Sequence, residues 1–381
     1  MSILLLMDDD GPPFPRSLFS AGEQGIWLDP SDFSTLFQDA AGTTPVTAVG
    51  QPVGLALDKR LGLERGPELV TNGDFSNGAT GWTTSGLVSI GGGAANFNSA
   101  LSGANVLQSV AISTSKFYAV TYTITSISSG SVSAAAGGAL GAVRTAPGTY
   151  TDILLPIAAT IYVRARADNT TAVIDNISVR EIAGNHAYQT TLAARPKLQR
   201  DSNGLYYLSF DGTDDGMATP SIDFTGTDKM TVWAGVRKLS DAAAAIIAEL
   251  SANESANVGS FVLYGPSSAL NNYRLGSRGS ASISLANAGG YSSPVSSVIV
   301  GVGDIAGDVS RIRVNGAVIR TTTSDQGTGN YGNYPLYIGR RAGTSLPFNG
   351  RIYQLIVRGV ESNAGQIAAT EAYVNAKMRA Y

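Results

Sequence analysis

The chain has 381 residues, of which 14% are charged and 43% hydrophobic, with 45 glycines and a formal net charge of −3. That length exceeds one ordinary core, and that apolar content excludes a disordered polymer. The lack of cysteine excludes disulfides, thiolate metal sites and a cysteine nucleophile, and the weakly acidic balance leaves no basic field for a nucleic acid.

In chain order, the opening MSILLLMDDDGPPFP has no Lys or Arg ahead of its short apolar run and three aspartates after it. No secretory signal is expected there. No stretch approaches the ~18–20 apolar residues of a membrane span, so no membrane insertion is expected. Pro12, Pro13 and Pro15 favour an extended arm over residues 1–20. That arm is either a frayed terminus or an attachment peptide docking on a larger assembly, with Leu4, Leu5, Leu6 and Phe14 as apolar anchors. Residues 21–61 carry turn and cap signals at Asp29-Pro30 and Ser31-Asp32, and STLFQD suits a short helical turn. The Gly- and Pro-cut run that follows reads as short strands. Such a segment needs a partner surface, because it is too small to hold a core alone.

Residues 62–182 behave as one unit. Tyr118, Val120, Tyr122 and Ile124 alternate with Ala119, Thr121 and Thr123, which is strand periodicity. TIYVRARADN repeats it, with Ile161, Val163 and Ala165 on one face and Tyr162, Arg164 and Arg166 on the other. Turn signals recur about every ten residues, as in a β-sandwich. Residues 183–381 form a second all-β region. Its clearest element is SRIRVNGAVIRT, where Asn315-Gly316 suits a type I′ turn. The end, SNAGQIAATEAYVNAKMRAY, is a helix with an apolar stripe of Ile367, Val374, Met378 and Tyr381, capped by Ser362 or Asn363.

Several stretches carry resemblances. YYLSFDGTDDGM, MTVWAGVRK, RIRVNGAVI and LYIGRRAGTSLPFNGRIYQLIV resemble, in order, the laminin-G-like branch of the concanavalin A-like lectin/glucanase superfamily. LVTNGDFSNGATGW and IDNISVRE resemble the opening and closing strands of jelly-roll carbohydrate-binding modules. WLDPSDFSTLFQDAAGTTPVTAVGQPVGLALDK resembles a segment of tailed-bacteriophage structural proteins, where it runs on into GNHA and ARP. Here GNHAYQTTLAARP begins only at Gly184. The resemblance thus implies one sandwich inserted in another. The expected layout is an arm over 1–20, a lectin-like sandwich from 21–61 plus 183–381, and an inserted jelly roll over 62–182. Leu61 and Ala183 should lie near each other, and Trp27 should pack within the 183–381 region.

Catalytic machinery is not expected. His186 is the sole histidine and reads as structural; no G-x-S-x-G occurs. The acidic pairing of glycosidases needs two carboxylates flanking one bond, and Glu249, Glu254, Glu361 and Glu371 are not spaced for it. Asp211, Asp214 and Asp215 are turn-formers or calcium ligands. The module resemblance implies a structural calcium at Asp74 and Asp175, though the family's doubled acid is DN here. No other cofactor is expected. Glycan binding uses aromatics and short polar side chains. The candidates are Tyr118 and Tyr162 in the jelly roll, and Tyr273, Tyr291, Tyr331 and Tyr334 in the lectin-like region. The last two lie in GTGNYGNYP, which is a glycan-contacting loop or an ordinary hairpin. Trp82 and Trp233 are expected in cores.

The expectation is a non-enzymatic virion surface protein. It would adhere to host-surface glycan or decorate the particle, with other virion proteins and further copies of itself as partners. A purely structural decoration protein and a polysaccharide-degrading glycosidase or lyase are the alternatives.

Overall fold

The computed structural model describes residues 14–381; Leu4, Leu5 and Leu6 of the expected anchor lie outside them. The described chain is antiparallel sheet with one α-helix, Ala364–Met378, the all-β class expected. It divides into two compact units. One comprises the chain up to Gln38, Pro45–Gly62 and Gly184–Tyr381, and the other Asp39–Thr44 and Leu63–Ala183.

The first unit stacks an eight-stranded sheet on a nine-stranded one. The strand Lys229–Lys238 shows why its sequence is nearly continuous in apolar residues. It pairs on both sides, with Val295–Asp304 and with Asn349–Arg358. Val232, Ala234 and Val236 point into the core between the sheets, while Trp233 points the other way, into a cluster with Val374 and Met378 of the helix. A side chain at Gly235 would collide with those same two helix residues. The helix opens on a capping box between Asn363 and Gln366 and buries Ile367, Val374 and Met378. Tyr381 falls beyond the helix end and is exposed, because Arg379 turns left-handed at φ 51°. In the hairpin joining Val309–Val314 to Ala317–Thr322, Asn315 and Gly316 have φ of 50° and 81°, the two positive values a type I′ turn requires.

The N-terminal segments are part of this packing. Gly25–Leu28 pairs with Asn349–Arg358, Trp27 opposite Ile356, and Trp27 Nε1 donates to Gln354 Oε1 at 3.1 Å. Phe33–Thr35 is a single 3-10 turn capped by Asp32. Leu55–Ala56 pairs with Ala187–Tyr188. Phe14, expected as an attachment anchor, is corrected here: its ring meets Tyr373 edge-on at 5.5 Å within the Trp27 cluster. The ring is half-buried on its own unit rather than projecting freely into solvent.

The second unit faces two five-stranded sheets across one core. Tyr118, Val120, Tyr122 and Ile124 fill that core from one sheet, and Ile161, Val163 and Ala165 from the other. On the opposite side of the first sheet, Thr121 bonds Thr151 and Thr123 bonds Thr149 at 2.8 and 2.9 Å, cross-strand pairs that suit a wetted face. The unit's two ends meet, since Ala183 N donates to Glu64 O at 3.1 Å.

Candidate functional site

In the second unit, the period of two in Thr160–Ala165 sends Tyr162 and Arg164 to the side away from the core. Cross-strand register extends this into rows. Leu140 pairs with Ala135, Ala135 with Tyr162, Tyr162 with Leu107, and Leu107 with Thr83. All five share the side of the sheet away from the core, but Ala135 is 0% exposed, so the open part is the half-buried Tyr162 ring with Leu107 and Thr83 beyond it and Leu140 at the far edge. The next row is polar: Ser133, Arg164 and Asn105. Arg166 reaches back over it, donating from Nη1 to Ser133 Oγ at 3.2 Å. Ser133 is 0% exposed, so a flat aromatic ring beside amide and guanidinium groups is what can stack on a sugar ring and bond its hydroxyls.

Three of the six expected tyrosines are corrected. Tyr331, Tyr273 and Tyr118 are 1%, 0% and 2% exposed and cannot stack on a ligand. Tyr331 lies beneath its Gly/Asn loop, its hydroxyl 2.6 Å from Ser277 Oγ and its ring edge-on to Phe261. Burial pushes both the Tyr331 and Tyr273 hydroxyls well above the usual tyrosine range. Tyr118 accepts from Ser113 N at 2.9 Å inside the second unit. Tyr291 and Tyr334 are half-buried: Tyr291 packs on Tyr273 at 5.5 Å, and Tyr334 donates to Val258 O at 3.2 Å. Of the six, Tyr162 alone stands outward on a sheet.

Two tyrosines outside that set occupy the outward face of the nine-stranded sheet. Tyr188 pairs with Ala218, Ala218 with Tyr337, and Tyr337 with Glu249. The signal was present in PLYIG, where inward Leu336 and Ile338 force Tyr337 outward.

Beside that row sit the two carboxylates that most resemble acid machinery. Glu249 and Glu254 are 0% and 5% exposed, and both are held by Arg341: Nε donates to Glu249 Oε2 at 2.8 Å and Nη2 to Glu254 Oε2. Glu249 Oε1 accepts from Glu254 N at 2.9 Å, and Glu254 Oε1 accepts from Tyr264 Oη at 2.6 Å. Burial, opposed by Arg341, pushes the Glu249 carboxyl up to about 7. All four oxygens are occupied by the protein, so the group is a clamp on the loop bearing Arg341.

His186 is buried, and its Nδ1 accepts from Asp58 N at 2.9 Å. Asp74 is exposed and accepts from Ser76 N and Oγ at 3.2 and 3.0 Å, a turn-forming bond pattern that lowers its pKa. Asp175 accepts from Asn176 N at 2.6 Å. Neither belongs to a group of three metal-type ligands. Among the described residues that description fits Asp211, Asp214 and Asp215, whose oxygens lie within 4.8 Å of one another. There Asp211 Oδ1 accepts from Thr213 N at 2.7 Å and Asp215 Oδ2 from Asp211 N at 3.0 Å.

Burial, with the Asp211 charge behind it, pushes the Asp215 carboxyl up to about 7. A carboxyl raised in the folded state holds its proton more tightly there than in the unfolded chain. Stability therefore falls as pH climbs from about 4 to 7. Asp215→Asn keeps an acceptor for Asp211 N and removes the charge. It should stabilise by on the order of 2 kcal/mol at pH 8 and be near neutral at about pH 4, read from urea midpoints. Equal effects at both pH values would contradict the shift.

Residues 211–368 match the family model of the concanavalin A-like lectin/glucanases superfamily. The first unit thus contains a concanavalin A-like domain, and its nine-stranded sheet carries the Tyr188 and Tyr337 row. No curated protein matches the chain. Among solved structures, it is similar to the CBM40 of a Ruminococcus gnavus IT-sialidase bound to α2,3-sialyllactose, at 20% identity over 38% of this chain and 83% of that one, with a TM-score of 0.31. It is similar to botulinum neurotoxin type C, in a structure concerned with two ganglioside molecules, at 11% identity over 48% of each chain and a TM-score of 0.36. It is also similar to the NanB sialidase of Streptococcus pneumoniae, at 14% identity over 42% of this chain and 27% of that one, TM-score 0.32. The chain thus spans about half of the neurotoxin chain and about a quarter of NanB. Among the described residues no helix is long and apolar enough to cross a membrane.

Proposed function

We propose that this chain is a non-enzymatic adhesion protein that holds glycan on the outward face around Tyr162. The observation that carries the proposal is the accessible row Tyr162, Leu107 and Thr83 across three paired strands. At about 4.8 Å between strands, such a row is ~10 Å long, room for about two sugar rings. The saturated Glu249–Arg341–Glu254 clamp supports binding without cleavage, since glycoside hydrolysis needs a free acid and a free base or nucleophile.

The proposal extends to where the protein works. The phage-like segment from Trp27 to Lys59 supports a place on a tailed-phage particle, with residues 21–61 and 183–381 as one domain and the Tyr162-bearing sandwich as its insertion. Several copies per particle would turn weak single contacts into a durable hold, because later contacts are intramolecular.

The test is a glycan array probed with the labelled full chain, followed by assay of bound polysaccharide for new reducing ends. Binding without release of sugar is expected. An empty array would overturn glycan binding and favour a purely structural decoration role; release of sugar would overturn the non-enzymatic assignment.

A further inference from the structure

The Tyr162 face is basic in a unit that is not. The second unit holds six Arg and Lys against eight Asp and Glu. Lys116, Arg144 and Arg180 are each ion-paired, with Glu181, Asp152 and Glu68. Arg164 and Arg166 are not: among the described residues no carboxylate lies within 4.0 Å of either, although acids outnumber bases. Arg164 Nε is buried with no acceptor, and Arg166 has only the neutral Ser133 hydroxyl. The acid nearest in sequence, Asp168, is turned to Ser102 N at 2.9 Å. Their cross-strand neighbours, Ser133 and Asn105, are uncharged.

Arg164 lies near the end of the strand Thr160–Ala165, and Arg166 follows two positions later in the bend after it. Two neighbouring guanidinium groups repel each other, and a buried Nε–H without an acceptor is unfavourable. The repulsion is relieved by an anion on the face. A guanidinium fork matches a planar carboxylate with two parallel hydrogen bonds. We infer that the glycan held beside Tyr162 is acidic, a saccharide whose carboxylate is taken by Arg164 and Arg166 while a ring stacks on the tyrosine. This rests on the assignment of glycan binding to that face and adds its chemical class.

The experiment is an array of neutral, sulfated and carboxylate-bearing glycans, read with the full chain and with Arg164→Gln/Arg166→Gln. Each hit is retitrated after methyl esterification and at 50 and 500 mM NaCl. Carboxylate-bearing hits are expected. Esterification, or the double substitution, should weaken each at least tenfold with an unchanged melting curve, and salt should weaken the wild type but not the variant. Glutamine keeps a donor for Ser133, so the fold is retained; an Arg164→Lys/Arg166→Lys chain should bind with intermediate affinity, because charge remains and the fork is lost. Preference for neutral or sulfated glycans, or carboxylate binding that survives in the glutamine variant, overturns the inference while glycan binding stands. A wild-type chain that binds nothing overturns the glycan-binding proposal and the inference with it.

Discussion

Asp58→Ala should cost the first unit about 3–5 kcal/mol, the range for a buried charge network that loses one partner. Asp58 is 0% exposed and accepts four hydrogen bonds. Trp27 N and Arg60 N reach Oδ1 at 2.9 and 3.0 Å, and Asn185 N and Arg60 Nε reach Oδ2 at 2.8 and 3.0 Å. Its own N–H is taken by His186. One carboxylate therefore ties the strand of Trp27 to the segment that begins GNHAYQ. Alanine leaves three backbone donors and the Nε of a 6%-exposed arginine without an acceptor. Asp58→Asn keeps one oxygen and should cost less than half as much. The check is urea unfolding followed by Trp fluorescence. Loss below 1 kcal/mol would mean that water reaches the site.

Arg341→Ala should be of similar size, about 3–5 kcal/mol at pH 8, because it leaves Glu249 and Glu254 buried against each other. The loss should shrink at pH 5. Glu249, raised to about 7, is then neutral and needs no cation. Since Arg341 also bonds Tyr264 Oη at 2.7 Å, some loss remains at every pH. Adding Glu249→Gln should recover part of the stability, so that the double variant loses less than the sum of the singles. Additivity within about 0.3 kcal/mol would dissolve the clamp into unconnected contacts.

Where side-chain period and turn chemistry decide a conformation locally, the sequence was legible. The alternation over Tyr118–Ile124, the Asn315-Gly316 turn and the Asn363 cap need only neighbouring residues, and the structure has each. The outward position of Tyr162 and Arg164 followed from the same period, whereas Arg166 lies in the bend after the strand ends at Ala165. Loop aromatics were not legible. GTGNYGNYP has the small, polar composition of a surface loop, yet Tyr331 turns under it to meet Ser277, 54 positions away. Composition reports on the backbone path and says nothing of which way a ring points. The same holds for Glu249 and Glu254. They are five apart on the chain, and their meeting is set by Arg341, 92 and 87 positions away. Phe14 sits among three prolines that suit an extended arm, but it lies against Tyr373 of the C-terminal helix, a partner no local pattern reveals.

The most direct measurement is calorimetric titration of the tightest array ligand into the wild-type chain and Tyr162→Ala. The ring is half-buried on an outward face, so its removal should leave the melting temperature within a few degrees of wild type. Affinity should fall at least tenfold, about 1.4 kcal/mol, as the stacking platform is lost. Undiminished affinity in a folded Tyr162→Ala chain would contradict this account and put the ligand on another surface.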